Sequence, residues 1–315
     1  MTEQTRIMDW DSISKALASV DVVAEMERAF VAYSADKCVI PPVGELNFTE
    51  PRGDVHIKYG YVRDEEFYVV KIASGFYDNP SLGLASSNGL MLLFRQRTGE
   101  LAAVLLDEGR LTDIRTAAAG AVAARHLAPS EVTRIGILGT GTQARLQLEY
   151  LRGVVDCERA LVWGRNPERS EQFAREMSDG DFQVEVAAAT SDVAAMCNLI
   201  VTTTPAESPL LDRAAVRPGT HITAVGSDSP AKQELDAAIL GVSELVVADS
   251  VSQCRERGEI SHALRAGVIQ EAGLVELGAL IAGQAPGRQN DQQITVADLT
   301  GVAVQDVQIA SAVFV

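Results

Sequence analysis

The sequence predicts an α/β protein in two parts, a mixed and mostly antiparallel α+β domain followed by a doubly wound parallel sheet. Three observations lead to this prediction. Apolar residues between about 38 and 106 fall at period two or in short runs, and strands alternate with helices after residue 134. A glycine motif also separates the first of those later strands from its helix. With 315 residues, the chain is long enough for two domains.

The first part begins with a helical opening over residues 12–35, where apolar side chains recur at helical spacing. Four strands follow, separated by turn signals rich in Gly, Pro, Asn and Asp. They are DVHIKYGYV (54–62), EFYVVKIAS (66–74), GLMLLF (89–94) and AAVLLD (102–107). An Ala-rich helix, TDIRTAAAGAVAARHLA (112–128), then joins the two parts.

The second part has strands that are apolar along their length, which is typical of parallel strands covered on both faces. They are RIGIL (134–138), ALVWG (160–164), QVEVA (183–187), LIVTTT (199–204), HITAVG (221–226) and ELVVAD (244–249). Helices fit residues 142–153, 167–178, 190–196, 235–239 and, at the end, 302–313. This alternation is the signature of a Rossmann-type sheet.

Charge and composition argue against several classes of function. The chain has 27 Lys and Arg against 43 Asp and Glu, and a net charge of −16 repels nucleic acid. No stretch reaches the roughly 20 apolar residues of a membrane helix, and no secretory signal opens the chain. We therefore expect a soluble cytoplasmic protein. The 4 Cys and 4 His lack metal-ligand spacing, so no metal is expected.

The sharpest local motif is RIGILGTGTQA (134–144), in which a strand leads through Gly139, Thr140 and Gly141 into a helix. Gly139 permits a tight turn, Gly141 lets the backbone approach a pyrophosphate, and Ala144 allows close packing of helix on strand. The helix N-terminus supplies free N–H groups. The motif predicts dinucleotide binding, and a purely structural glycine turn is the alternative.

The next strand ends in Trp163-Gly164-Arg165-Asn166, without the acidic residue that binds the ribose hydroxyl of NAD. Arg165 would suit the extra phosphate of NADP, although an exposed arginine or one stacked on adenine is equally compatible. The choice between NAD and NADP stays open. Thr202 and Thr203, at a later strand tip, lie where such folds contact the cofactor, or are ordinary β-branched strand residues.

Several cations of the first part stand in locally unfavourable positions. Lys71 lies inside the apolar run YVVKIAS, where an unpaired ammonium costs free energy. Arg115 lies in the first turn of its helix, where the macrodipole disfavours a cation. His56 and Lys58 share one face of a strand. These residues indicate either buried ion pairs with carboxylates or a site for an anionic substrate, to which Arg115 offers a planar fork.

Asp228 follows a strand of the second part, in AVGSDSPAK. Taken alone, it is a turn or capping residue. Ligands of doubly wound sheets bind beyond the carboxyl ends of the strands, so Asp228 could also act as a general acid or base beside a nicotinamide.

These motifs, in this order, resemble the ornithine cyclodeaminase/mu-crystallin family along almost the whole chain. The matching segments are VVKIASGFYDNPSLGL (69–84), LLDEGRLTDIRTAAAGAVAARHLA (105–128), GILGTGTQA (136–144), AVGSDSPAKQEL (224–235) and VADLTGVAVQDVQIA (296–310). Within the family, the wording of the first segment resembles members encoded beside ectoine-degradation genes and the iminosuccinate reductases.

The resemblance implies a homodimer formed through a substrate-binding and dimerisation domain, residues 1–125 with 296–315 returning to it, and a dinucleotide-binding domain, residues 126–295. It implies that Lys71 and Arg115 hold the substrate carboxylate, and that Ser86 lines the pocket. Asp228 would be the acid or base at the substrate nitrogen. Gly139, Gly141, Thr142 and Gln143 would hold the cofactor.

Two departures from the family pattern bear on the substrate. Glu45 stands in PPVGEL near the position where the family often has an arginine, and Lys58 stands where ornithine-type members have an acid. A basic residue at 58 is unsuited to a diamine and suits a second carboxylate. We therefore predict an NAD(P)H-dependent imine reductase that converts iminosuccinate to aspartate.

Two other functions remain open. A cyclodeaminase would oxidise the amino acid with bound NAD, release ammonia and return the same hydride. A non-catalytic binder of NADPH and a small ligand would never oxidise the nucleotide.

Overall fold

The computed structural model describes residues 4–76, 78–178, 180 and 182–315. Tyr77, within the matching segment 69–84, lies outside this range. The chain divides into two compact units, one comprising the chain up to Arg115 with Val302–Val315, the other Thr116–Gly301. The sequence-based boundaries are 125/126 and 295/296. The second of these differs because the strand at Thr295–Asp298 is paired on both sides within the second unit's sheet.

In chain order, the strands are β1 Arg6–Met8, β2 Cys38–Val39, β3 Gly44–Phe48, β4 Gly53–Val62, β5 Phe67–Phe76, β6 Ser87–Arg95, β7 Leu101–Leu105, β8 Ile135–Leu138, β9 Arg159–Trp163, β10 Gln183–Val186, β11 Leu199–Thr202, β12 Glu207–Leu211, β13 His221–Ala224, β14 Gln233–Leu235, β15 Leu245–Ala248, β16 Leu274–Glu276 and β17 Thr295–Asp298. The helices are α1 Trp10–Leu17, α2 Val22–Ser34, α3 Arg110–Leu127, α4 Thr142–Leu151, α5 Pro167–Ser178, α6 Thr190–Met196, α7 Ala237–Val242, α8 Val251–Cys254, α9 Gly258–Arg265, α10 Leu277–Ile281 and α11 Ala303–Phe314. Short 3-10 turns occur at Asn79–Leu82, Arg213–Ala215 and Glu271–Gly273.

The helical opening consists of two helices rather than one. Asp9 caps α1 by accepting a hydrogen bond from the backbone N–H of Ser12, and Asp21 caps α2 through the N–H of Ala24. A side chain that accepts from the first turn satisfies a donor that the helix itself leaves unpaired. Asp21 therefore starts a new helix within the segment 12–35.

The first unit contains a seven-stranded sheet in the part of it that the structure describes, ordered β1-β7-β6-β5-β4-β2, with β3 also paired to β4. The pair β1·β7 is parallel and the others are antiparallel, which confirms the mixed, mostly antiparallel sheet. The helix α11 packs on β4, β5 and α2. Lys58 and Lys71 are cross-strand partners and both are buried, whereas Tyr59 and Ile72 next to them are exposed.

The second unit is a doubly wound sheet. Over its described residues, eight parallel strands follow the order β10-β9-β8-β11-β13-β17-β15-β16. The order changes direction at β8, whose neighbours are β9 and β11, and ligands of such sheets bind beyond the strand ends at this point. A separate parallel pair, β12·β14, was not predicted. Among the described helices, none is long and apolar enough to cross a membrane.

Candidate active site

The glycine motif forms the tight turn that the sequence predicts. Gly139 has φ +125°, and a Cβ at this position would meet Thr203 Oγ1 at 2.4 Å. A side chain here is therefore excluded twice, by the backbone conformation and by Thr203. Gly141 caps α4 with an ordinary φ of −88°, and a Cβ added there would meet nothing within 4 Å. The space beside Gly141 is open to a ligand at the helix N-terminus.

A cleft of about 350 Å³ lies at this turn. Most of its lining residues lie at or just beyond the tips of β8, β9 and β11, while Arg169 belongs to α5 and Leu210 to β12. The lining residues are Gly139, Thr140, Gly141, Trp163, Gly164, Arg165, Asn166, Arg169, Thr203, Thr204, Pro205, Ala206 and Leu210. Thr142 and Gln143 follow in the first turn of α4. The cleft fits a dinucleotide, because glycines approach it where a pyrophosphate would lie and an arginine-bearing strand end flanks it. Thr202, by contrast, is fully buried and does not line the cleft.

Thr202 instead belongs to a buried network around Glu234, which the sequence analysis did not identify. The Oε2 of Glu234 accepts from Thr202 Oγ1 at 2.7 Å and from the N–H of Gly226 at 2.9 Å. Its Oε1 accepts from the N–H of Thr204 at 2.6 Å and from Thr204 Oγ1 at 2.8 Å. A short strand with one buried acid has no periodicity that would reveal this role.

Asp228 lies in the loop after β13, half-buried. Its Oδ1 accepts from Lys232 Nζ at 2.7 Å, and Ser227 Oγ donates to the carbonyl of Lys232 at 2.6 Å. These two bonds close the loop on itself. His262 Nε2 lies 2.9 Å from the same carbonyl and supports the loop from α9. Asp228 thus has a turn role, and an acid–base role remains compatible with its partial exposure.

In the first unit, Lys71 and Arg115 converge on Asp306 of α11. Lys71 Nζ lies 3.0 Å from Oδ1 and 2.9 Å from Oδ2 of Asp306, while Arg115 Nε donates to Oδ1 at 3.0 Å. Arg115 Nη1 also donates to Gln305 Oε1 at 2.6 Å. Both cations are therefore paired with a buried carboxylate, and a single carboxylate serves the two of them.

Two further charged residues, Lys58 and Asp107, interact electrostatically with Lys71, and Lys58 also acts on Asp306. Burial, together with the charges of Arg115 and Lys58, lowers the pKa of Lys71 to about 7 against the attraction of Asp306. Burial opposes ionisation of Asp306, yet Lys71, Arg115 and Lys58 hold its pKa below the usual value. Burial raises the pKa of Asp107, whose Oδ2 caps α3 at Leu111.

Two other predicted site residues of the first unit are His56 and Ser86. His56 is half-buried on the same face of β4 as Lys58, two positions away. Ser86 is exposed just before β6, and its carbonyl accepts from the N–H of Phe76 at 2.8 Å. Within the ranges described above, no three His, Cys, Asp or Glu side chains are grouped as metal ligands.

The sequence offered one unused signal for this cluster. Asp306 is a lone acid in the apolar stretch GVAVQDVQIA, and such a residue is rarely buried without a partner. The partners lie 191 and 235 positions away, so the sequence alone could not name them.

Comparison with known proteins gives relatives of high coverage. An uncharacterized cyclodeaminase of Sinorhizobium fredii is 41% identical over 94% of this chain and 90% of its own. A putative dehydrogenase of Rhizobium meliloti is 43% identical over 93% of this chain and 90% of its own.

Three solved structures share the fold. An archaeal alanine dehydrogenase dimer with bound NAD is 33% identical, with a TM-score of 0.91, and covers 98% of this chain and 95% of its own. Delta(1)-pyrroline-2-carboxylate reductase of Thermococcus litoralis, in complex with NADH and L-proline, is 29% identical, with a TM-score of 0.92. The match covers 98% of this chain and 96% of its own. Iminosuccinate reductase of Paracoccus denitrificans, in complex with NAD+, is 30% identical, with a TM-score of 0.87. The match covers 99% of this chain and 95% of its own.

A family model also spans the chain. The model for the ornithine cyclodeaminase/mu-crystallin family matches residues 3–314, in agreement with the motifs, the doubly wound sheet and the relatives above. The chain belongs to the ornithine cyclodeaminase/mu-crystallin family.

Proposed function

We propose that this chain is an imine reductase that uses NADH or NADPH, with iminosuccinate as its preferred substrate and aspartate as its product. The observation that carries the proposal is the cation cluster of the first unit, in which Lys58, Lys71 and Arg115 surround Asp306. The likeness to an iminosuccinate reductase supports it.

The charges of the cluster favour a dianion. Three cations, Lys58, Lys71 and Arg115, act on the acids Asp306 and Asp107, so the cations of the cluster outnumber its acids. Lys58 and Lys71 are direct cross-strand partners, and like charges in such a pair repel each other. A bound dicarboxylate would add to the attraction that Asp306 already supplies.

The proposed mechanism assigns one task to each residue. When bound, the nicotinamide supplies a hydride to the imine carbon, and the electron pair of the C=N bond moves to nitrogen. Lys71 and Arg115 hold the α-carboxylate, and Lys58, with His56 beside it, holds the second carboxylate. Asp228 delivers or relays the proton that nitrogen accepts. Gly141 and the N-terminus of α4 hold the pyrophosphate.

A cyclodeaminase is the second candidate, favoured by the name of the 41% identical relative. Its first step is the same hydride transfer run in the direction of oxidation, so the same residues would serve it. The two differ in net cofactor turnover, which only the reductase shows.

The test is the absorbance of the reduced nicotinamide at its own band. NADH and NADPH are each mixed with enzyme, ammonia and either oxaloacetate, pyruvate or glyoxylate. Consumption that is strongest with oxaloacetate supports the proposal and identifies the coenzyme. Equal or stronger consumption with a monocarboxylate contradicts the iminosuccinate assignment. No consumption with any acceptor contradicts a reductase, and leaves the cyclodeaminase or a non-catalytic nucleotide binder.

We further propose that two copies pair through the first unit. The face of its sheet opposite Lys58 and Lys71 exposes apolar side chains, among them Leu46 at 53%, Phe48 at 41% and Tyr59 at 39%. A contiguous apolar surface of this kind is typical of an interface, and the archaeal alanine dehydrogenase is a dimer. Sedimentation should show a dimer that Leu46→Asp dissociates, while Val268→Asp, on the second unit, leaves it intact. A monomeric wild type contradicts the pairing.

A further inference from the structure

Glu234 joins the carboxyl ends of two neighbouring strands of the second unit. Thr202 ends β11 and Thr204 follows it, whereas Gly226 follows β13, and all three donate to the one carboxylate. Because β11 and β13 are adjacent and parallel, their tips lie side by side at the same edge of the sheet. Glu234 therefore fixes the spacing between the two loops that leave this edge.

Both of those loops carry residues of the proposed site. Thr203 and Thr204 line the dinucleotide cleft, and Thr203 Oγ1 lies where a side chain on Gly139 would be. Gly226 is two residues before Asp228, and the loop between is closed by Ser227 and Lys232. A Cβ on Gly226 would meet the carbonyl of Thr204 at 2.2 Å, so the two loops are in direct backbone contact.

The network depends on the charge of Glu234. The carboxylate is fully buried, and its four neighbours are two backbone N–H groups and two hydroxyls. Backbone N–H groups can only donate, so an ionised carboxylate satisfies all four, whereas an amide presents a donor to some of them. Glu259 lies behind and accepts from the N–H of Glu234 at 2.7 Å, which holds the strand that bears the carboxylate.

We infer that Glu234 is a positioning residue that sets the cofactor-facing wall at Thr203 and Thr204 in register with the loop of Asp228. The inference rests on the proposed function, since it assumes that the cleft binds a nicotinamide dinucleotide. Glu234 itself touches neither the cofactor nor the substrate in this proposal, and acts through the two loops.

The chain offers a matched control in Asp249. This residue is also a buried carboxylate after a strand of the same sheet, and it accepts from Thr300 Oγ1 at 3.0 Å and from the N–H of Gly301 at 2.7 Å. Neither partner lines the dinucleotide cleft. Asp249→Asn therefore measures the cost of altering a buried capping carboxylate without altering the cleft.

In the experiment, each purified full-length variant is titrated with NADH, and binding is monitored by the fluorescence of NADH. The kcat and KM for the imine and the melting temperature are measured on the same variants. Glu234→Gln should weaken the binding of NADH at least about tenfold, the effect expected from losing one or two hydrogen bonds. Its kcat should fall as well, because Asp228 shifts with Gly226. Asp249→Asn should change the melting temperature by a similar amount and leave the NADH affinity within about twofold.

A double-mutant cycle separates positioning from general loosening, and its single variant Thr204→Val tests the inference by itself where Glu234→Gln fails to fold. Thr204→Val removes only the hydroxyl that donates to Glu234 and should weaken NADH several-fold. If Glu234 acts through Thr204, the double variant binds NADH about as well as Glu234→Gln alone. Wild-type affinity in both single variants overturns the inference. Failure of the wild type to bind either NADH or NADPH refutes the proposed function instead.

Discussion

Lys71 of β5 and Asp306 of α11, 235 positions apart, form a buried pair in which both carboxylate oxygens lie within 3.0 Å of the ammonium nitrogen. Removing one partner of such a pair leaves a buried charge uncompensated, at a cost of about 3 kcal/mol. We expect Asp306→Asn to lower the free energy of unfolding by that amount, as measured by urea denaturation. The exposed pair Arg95–Glu66 supplies the control, and Glu66→Gln should cost less than about 1 kcal/mol. Equal losses of unfolding free energy in the two variants would show that the buried pair of Asp306 stabilises the protein no more than the pair Arg95–Glu66 does.

Substrate choice should depend on Lys58. Lys58→Met keeps an unbranched side chain, one atom shorter, and removes its charge, so the KM for iminosuccinate should rise about ten- to hundredfold, as expected for one lost charged contact. The KM for the imine of pyruvate should change by less than about threefold. Initial rates with each keto acid and ammonia measure both. Lys15→Met, at an exposed position on α1, is the matched control. A parallel rise for both substrates would refute the role of Lys58 in dicarboxylate selection.

The binding of anions should weaken with rising pH. Burial is the main cause that lowers the pKa of Lys71 to about 7, so its ammonium form, the one that attracts a carboxylate, predominates at pH 6 and is lost as the pH rises through 7. The inhibition constant of succinate, a dicarboxylate that cannot react, should therefore increase as the pH rises from about 6 to 8. Using succinate avoids the titration of ammonia. In Lys71→Arg, whose charge persists, the same profile should be flat over this range; a profile identical to that of the wild type would assign the titration to another group.

The two motif glycines should respond differently to a methyl group. Gly141→Ala meets no neighbour and has an ordinary φ, so the melting temperature should stay near the wild type while NADH affinity falls at least about tenfold. Gly139→Ala has both a positive φ and a contact with Thr203, so it should lose stability as well. Thermal melts and NADH titrations on both variants check this. Unchanged NADH affinity in Gly141→Ala would place the pyrophosphate elsewhere.

Coenzyme choice should depend on Arg165 at the end of β9. This side chain is exposed and lines the cleft, and no acid precedes it at the strand end. We expect Arg165→Ala to weaken the binding of NADPH about tenfold or more and the binding of NADH by less than about threefold. Titration of the variant with each nucleotide measures both affinities. Arg159→Ala, at the opposite end of the same strand, should affect neither. Equal losses for the two nucleotides would instead indicate that Arg165 stacks on the adenine that they share.

Local patterns predicted most of the fold. Period-two alternation located β4 and β5 to within two residues, and apolar runs located six of the eight parallel strands described in the second unit. The strands β16 and β17 of that sheet were not predicted. The prediction missed β1, which has only three residues and is defined by pairing with β7 almost a hundred positions later. Strands as short as β1 leave no period to detect, and their pairing is a tertiary fact.

The site was predictable where a motif is local and not where it is long-range. The turn at Gly139 and Gly141 is encoded within a few residues, so its geometry followed from the sequence. Thr202 was assigned to the cofactor because it ends a strand, but its hydroxyl turns inward to Glu234, 32 positions away. Asp306 was overlooked for the same reason, since its burial between two cations depends on how α11 packs onto the sheet.

The return of α11 to the first unit also orders the events of synthesis. The second unit has all its residues once Gly301 has been made, whereas the first unit, although it begins earlier, lacks α11 until Val302–Val315 follow. During that interval Lys71 and Arg115 are without the carboxylate that pairs with them. The first unit, although its synthesis begins first, therefore cannot complete its fold before Val302–Val315 have been made.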